Sequence, residues 1–199
     1  MSTSADIKVR GLAELERALL ALPDKLQRNV MRSALRAGAQ VIRRQAQALV
    51  PVAQPNRRNA EAYGLKAGAL RASIRVSARL RNGRAVAYVK AGGQRKGDPF
   101  YARFVEYGTK PHLIAAQGAS GKRASVATLN RRIAKGALKI GDKLLGATVQ
   151  HPGAAPRPFM RPALARAARP AVVAVGQQIR ARLTKAGIEA PDFDGGLSD

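Results

Sequence analysis

The carboxylates and imidazoles on which acid–base or metal chemistry usually rests number twelve Asp and Glu residues and two histidines in this 199-residue chain, and there is no Cys. His112 and His151 stand far apart in sequence. A zinc site needs three or four ligands, usually clustered His, Cys or carboxylate, and this spacing offers no such cluster. His151-Pro152-Gly153 reads as a turn. Glu106 attracts attention because it lies inside an aromatic run. A general acid needs a positioned partner, and none is evident in the sequence around it. Glu106 reads instead as the ion-pair partner of an Arg, satisfying a partly buried helix. No Gly-x-Ser-x-Gly or P-loop pattern occurs. Gly92-Gly93-Gln94-Arg95-Lys96-Gly97 is Gly-rich and basic, but it lacks the P-loop's glycine spacing and its Lys-Ser/Thr pair, so it reads as a loop. The sequence predicts no enzyme, no cofactor and no metal.

The net charge is +24. A charge of this size self-repels and favours acidic partners: nucleic acid, anionic lipid or an acidic protein surface. Zinc-finger spacing and the RNA-recognition aromatic signature are both missing. The charge alone supports salt-sensitive, sequence-independent binding to a phosphate backbone. Without Cys, disulfides and thiolate metal sites are excluded. The N-terminus is polar and has no signal-peptide apolar region. No apolar run approaches the roughly 20 residues of a membrane span, so no membrane partner is expected. The hydrophobic content of 46% is mostly Ala, Leu and Val. Small residues favour close helix packing over a large ligand cavity.

These side chains must be positioned by a mixed set of elements. Ile7 and Val9 suggest a short strand ending the N-terminal tail. Gly11 opens an amphipathic helix with Leu12, Leu15, Leu19 and Leu22 at helical spacing, and Pro23 ends or kinks it. Lys25 to Leu49 reads as a long helix of about 37 Å, stopped by Pro51 and Pro55. On that helix Lys25, Arg28, Arg32, Arg36 and Arg43 fall on one stripe. Leu26, Val30, Ala34, Ala37 and Val41 fall opposite. No acidic residue occurs from Lys25 to Ala60. A solvated helix face usually mixes signs to gain i,i+4 pairs. The stripe therefore reads either as a solvated basic face or as a surface that meets an acidic partner or DNA.

Residues 54–68 form a polar loop that carries Arg57 and Arg58. Within residues 69–80, Leu70, Ile74 and Val76 alternate with Arg71, Arg75 and Arg79, and the second half reads as a strand. Asn82-Gly83 predicts a hairpin, with residues 85–91 returning and Val86, Tyr88 and Lys90 on one face. Asp98-Pro99 reads as a helix start and Gly108 as a left-handed helix end. Between them Phe100, Phe104 and Tyr107 share a face, with Tyr101 and Val105 beside it. Large rings bury the most apolar area per residue, so this short helix anchors either the core or an interface. Leu138-Lys139-Ile140 and Ala147-Thr148-Val149 suggest a hairpin across Gly141-Asp142. Pro156-Arg157-Pro158 is an extended lead-in. A final helix runs from about Phe159 to Lys185, kinked or restarted at Pro170, with Val172, Val175, Ile179 and Leu183 inward.

Three segments then stand in order: Gly68-Ala69-Leu70-Arg71-Ala72-Ser73-Ile74-Arg75, Tyr101-Ala102-Arg103-Phe104-Val105-Glu106-Tyr107-Gly108-Thr109, and Pro156-Arg157-Pro158-Phe159-Met160-Arg161-Pro162-Ala163-Leu164. Together they resemble the tail-completion, or head–tail joining (neck), protein family of long-tailed double-stranded DNA bacteriophages. Gly11-Leu12 with its Leu-rich helix and Leu22-Pro23 is also similar to that family. Pro111-His112-Leu113-Ile114 and His151-Pro152-Gly153 resemble an elaboration between the second and third motifs. The resemblance covers roughly residues 7 to 185; the charge and residues 115–135 depart from the usual pattern.

The resemblance implies an α+β fold in which long N-terminal and C-terminal helices pack on a small antiparallel sheet, with a short central aromatic helix. It implies one domain over residues 1–190, with a variable basic insertion at about 110–155 and a flexible acidic tail at 191–199. The implied function is a structural virion protein that completes the tail and joins it to the head, as a ring subunit around the DNA channel. Its expected partners are other neck and tail proteins (head-closure and tail-terminator rings), copies of itself in a hexameric ring, and packaged double-stranded DNA. Its expected place is the head–tail junction of the virion, after assembly in the host cytoplasm. Lys25, Arg28, Arg32, Arg36, Arg43, Arg57 and Arg58 are the expected partner or DNA interface. Leu70, Ile74, Tyr101, Phe104, Glu106, Tyr107, Gly108, Pro158, Phe159 and Pro162 are the expected motif core or interface. The alternative is a small basic protein that binds nucleic acid independently of sequence.

Overall fold

The computed structural model describes residues 11–52, 67–81, 84–93, 99–115, 138–140, 143–145, 148–191 and 193. The expected N-terminal strand and Arg57, Arg58 and Asp98 lie outside them. In chain order the elements are α1 (Leu12–Leu20), α2 (Asp24–Leu49), α3 (Ala69–Ser73), β1 (Arg75–Arg81), β2 (Arg84–Lys90), α4 (Ala102–Tyr107), β3 (His112–Ala115), β4 (Leu138–Ile140), β5 (Lys143–Leu145), β6 (Thr148–His151) and α5 (Met160–Lys185). This is the α+β class expected, with long helices near both ends and small antiparallel sheets. The chain divides into two compact units: residues 1–102 with 158–199, and residues 103–157.

The first unit is built on α2 and α5, each 26 residues long. Small side chains recur at multiples of four residues on both helices. On α2 they are Ala34, Gly38 and Ala46; on α5 they are Ala163, Ala167 and Ala171, all buried. Residues four apart share a helix face, so each helix presents a low ridge and the backbones approach closely. A Cβ placed on Gly38 would lie 2.7 Å from Val175 Cγ2 and 2.9 Å from the Ala171 carbonyl oxygen. Polar bonds fix the register: Gln178 Nε2 and Arg182 Nε both donate to Ser33 Oγ, at 2.9 and 3.2 Å. Pro170 lies inside α5 without ending it. It is exposed, so the Arg166 carbonyl that loses its intrahelical donor lies on the solvent side.

Larger side chains close the end of this pair. Leu15, Leu19, Leu22, Val30, Ile179, Leu183 and Phe193 form one buried cluster. Leucines at helical spacing put α1 on it, as the sequence predicts. Phe193 was expected in a flexible tail, but it is only 6% exposed, and its ring takes the space a side chain at Gly176 would need. The cause is the end of α5. Gly187 is left-handed (φ 72). Its N–H donates to the Thr184 carbonyl at 3.0 Å, and the Ile188 N–H donates to the Leu183 carbonyl at 3.1 Å. This pattern turns the chain back and satisfies the last carbonyls. It sets Ile188 and then Phe193 against the cluster.

The β1–β2 hairpin packs on α2. Its register pairs Arg81 with Arg84, leaving a two-residue connection at Asn82-Gly83 as expected from that dipeptide. Ala85, Ala87 and Val89 line a groove shared with α2 and α5, so this face of the hairpin points to the helices. Ahead of it, Leu70 and Ile74 are buried. Ser73, also buried, donates from Oγ to the Leu70 carbonyl at 2.7 Å and accepts the Gly92 N–H at 3.0 Å. One hydroxyl thus ties the end of α3 to the exit of β2.

In the second unit, Gly108 ends α4 in the left-handed conformation (φ 71), as expected. The helix starts at Ala102, three residues beyond the Pro99 start read from the sequence. β3 pairs with β6 and β4 with β5, all antiparallel. The expected pairing of 138–140 with 147–149 is not formed. Leu138–Ile140 turns back at once onto Lys143–Leu145, and residues 148–151 pair with His112–Ala115 instead. A two-residue link at Gly141-Asp142 suits that tighter hairpin and frees the following strand for another partner.

Two substitutions test this frame. Gly38→Ala gains about 1 kcal/mol of helix propensity, but its methyl meets a backbone carbonyl that cannot move aside. Overpacking of about 1–3 kcal/mol wins, and thermal melting should show a net loss of stability. Ser73→Ala removes two buried hydrogen bonds and should destabilise by about 1–3 kcal/mol in a denaturant titration.

Candidate functional site

Cations on α2 follow the expected stripe in part. Lys25, Arg28, Arg32 and Arg36 are exposed. Arg28 Nη1 lies 3.8 Å from Asp24 Oδ2, because the helix begins one residue before the acid-free stretch. Such an exposed pair contributes little. Arg32 Nη2 donates to Asn29 Oδ1 at 3.3 Å, which holds its guanidinium along the helix. Arg43 departs from the rest of the stripe in exposure. It is half-buried, donates from Nη1 to Gln40 Oε1 at 3.1 Å, and has its Nε buried without a hydrogen-bond partner. Arg43 keeps the azimuth of the stripe, but the core face has moved round to Gly38, Ala39 and Ala46 along this half of the helix, so the same side is partly covered here. The buried face also differs from the one expected at Ala37 and Val41, which are half-buried.

The motif residues divide between core and surface. Leu70, Ile74 and Phe159 are buried. Glu106 is 4% exposed and engaged with neighbours. Tyr101, Gly108 and Pro162 are half-buried, and Pro158 is exposed. The aromatic run does not anchor the core: Phe104 is 49% exposed, Tyr107 61% and Phe100 78%. In α4 the buried residues are Ala102 and Glu106, four apart on one face, which turns Phe104 and Tyr107 outward. Phe100 makes an edge-to-face contact with Tyr101 at 5.9 Å.

Within the second unit, short backbone bonds join the second motif to the approach of the third. The Arg157 N–H donates to the Val105 carbonyl at 2.8 Å. Thr109 and Ala154 exchange N–H···O bonds of 3.0 and 3.2 Å. Thr109 Oγ1 also accepts the Ala154 N–H at 2.9 Å. Gly108 must be glycine here, since a side chain would run into the Ala154 carbonyl and Pro156.

His112 and His151, distant in sequence, are cross-strand partners in β3 and β6. Their rings lie 4.9 Å apart, tilted by 31°. His112 Nδ1 bonds the Lys110 carbonyl at 2.9 Å, and His151 Nδ1 accepts the Gly153 N–H at 3.0 Å. These bonds make the pair part of the turn that the sequence suggests at His151-Pro152-Gly153. Among the described residues, no three His, Cys, Asp or Glu side chains converge as metal ligands would.

An apolar groove of about 720 Å³ lies between α2, β2 and α5, lined by Leu35, Ile42, Ala87, Val89, Leu164 and Val172 among others. The small-residue composition predicts close helix packing and no large cavity. The packing is observed, but small side chains also leave the flank beside β2 unfilled.

Residues 13–108, just under half of the chain, match a family model described as "HK97-gp10_like: Bacteriophage HK97-gp10, putative tail-component". The match runs from α1 to the end of α4 and takes in the first two sequence motifs except Thr109. It bears out the resemblance to a phage tail-completion family read from the sequence, and ties the chain to a phage structural role. No curated protein and no solved structure matches it significantly. No described helix is long and apolar enough to cross a membrane.

The division of motif aromatics has a direct check. Phe104→Ala should change stability by less than about 1 kcal/mol, whereas Phe159→Ala, in the core, should lose about 3–5 kcal/mol. Urea midpoints of the two variants measure the contrast.

Proposed function

We propose, with the HK97-gp10-like tail-component match over residues 13–108 as premise, that the protein completes a phage tail and joins it to the head. It acts as one subunit of a ring at the neck, hexameric and surrounding the DNA channel. Its neighbours are head-closure and tail-terminator rings. Its place is the virion, reached by assembly in the host cytoplasm. No catalytic step is involved.

One observation carries this reading beyond the family match. α2 buries one face against α5 and presents Lys25, Arg28, Arg32 and Arg36 on the other. A rigid helix with one-signed charge is suited to steer and orient an acidic neighbour. The exposed Phe104 and Tyr107 add apolar area of the kind that anchors interfaces, and heterologous contacts of this sort close into rings. A second reading, a free sequence-independent nucleic-acid binder, is favoured by the net charge of +24. Mass spectrometry of purified particles separates the two, since only a joining protein must be present in them.

The double variant Arg32→Glu/Arg36→Glu tests the docking face. Both side chains are exposed, so the monomer should melt as wild type while infectious particle yield falls by orders of magnitude, leaving unjoined heads and tails. Normal yield would remove α2 from the docking role. Absence of the protein from wild-type particles would remove the joining role itself.

A further inference from the structure

The outer face of the β1–β2 hairpin carries a dense set of cations. Strand alternation puts Arg75, Ser77, Arg79 and Arg81 on the same face as Arg84, Val86, Tyr88 and Lys90. The opposite face, with Ala85, Ala87 and Val89, is turned to the helices, and Val86 also borders that groove. Arg81 and Arg84, both exposed, stand directly across from each other. Like charges directly opposite in a ladder destabilise it, and neither strand contains an acidic residue. Tyr88 organises the centre, with Arg79 Cζ 5.1 Å and Lys90 Nζ 5.3 Å from its ring centroid. Cation–π attraction at such distances is favourable, so the ring gathers cations that would otherwise spread apart.

We propose that this outer hairpin face is a binding surface for the phosphate backbone of duplex DNA. The site differs from the α2 stripe and does not depend on the joining role. Shape favours it, because a two-stranded ribbon fits the major groove, about 12 Å wide. A seven-residue strand spans about 20 Å, a length over which duplex DNA presents about a dozen phosphates. The chemistry favours DNA over an acidic protein. Protein interfaces rely on an apolar or aromatic centre packed in a pocket, and the central ring here is already engaged by two cations. Backbone binding requires no apolar centre, only cations that displace condensed counterions.

The test is fluorescence anisotropy of the full chain on a labelled duplex of arbitrary sequence, between about 50 and 200 mM salt. Arg79→Gln/Arg81→Gln/Arg84→Gln should lower the slope of log affinity against log salt by about 2 to 3, each lost phosphate contact accounting for about 0.9. Lysine at the same three positions should restore the slope, since a backbone contact needs charge and not the guanidinium fork. Arg28→Gln/Arg32→Gln/Arg36→Gln on α2 should leave the hairpin's share of the slope in place. If the triple hairpin variant fails to melt as wild type, the single variants Arg81→Gln and Arg84→Gln should each lower the slope by about 0.9. An unchanged slope in the hairpin variants overturns the proposal. So does displacement of the duplex by polyglutamate as effective as by unlabelled duplex of equal charge, which would mark an acidic-protein surface. Particle content and yield, which decide the joining role, do not enter this measurement.

Discussion

The tight contact of α2 with α5, where Gly38 lies against Ala171 and Val175, sets the geometry of the first unit. A chain whose apolar residues are mostly Ala, Leu and Val cannot fill a wide core. It reaches interior density by bringing two backbones together along rows of small side chains. Everything else in that unit is referenced to this pair. The leucines of α1 and the returning Phe193 seal one end, and the apolar side of the hairpin lies on α2. A wider separation would unseat each of these contacts together, because they read the same two helix surfaces.

The same pair explains how a chain of such high charge folds. Its cations are segregated from its core by two periodicities, 3.6 on α2 and 2 on the hairpin. Each element buries small apolar side chains on one face and presents Arg and Lys on the other. Where the two demands collide, at Arg43, a guanidinium is drawn half into the structure and its Nε is left without a partner. The buried face turns round α2 from Val30 and Ala34 to Ala39 and Ala46, and at Arg43 it reaches the side that is free beside Arg32 and Arg36.

Local signals made much of this legible in the sequence. Gly11, Pro23, Gly108 and the Asn82-Gly83 link mark boundaries through backbone conformation, and the observed elements begin or end beside them. Leucine spacing placed α1, and Val172, Val175, Ile179 and Leu183 do face the core. Pairings between distant segments were not legible. No short-range rule puts His112 opposite His151 or chooses β3 over β4 as the partner of residues 148–151. Ser73 looked like one more small residue of a motif, because its role depends on an N–H nineteen positions away. For the aromatic run the sequence leaves core and interface equally open. Phe104 and Tyr107 face outward, because Ala102 and Glu106 occupy the inner face of that short helix. The hairpin's cation set was visible as alternating residues, yet its grouping around Tyr88 required the register.

Two points of backbone pairing, Val105 with Arg157 and Thr109 with Ala154, fasten the chain where it departs from α4 and where it returns. Being made by main-chain atoms, they are indifferent to most side-chain changes between them. The entropy of closing a loop grows only logarithmically, about 0.6 kcal/mol for each doubling of length. A clasp of this kind therefore costs little more to close around a long intervening segment than around a short one.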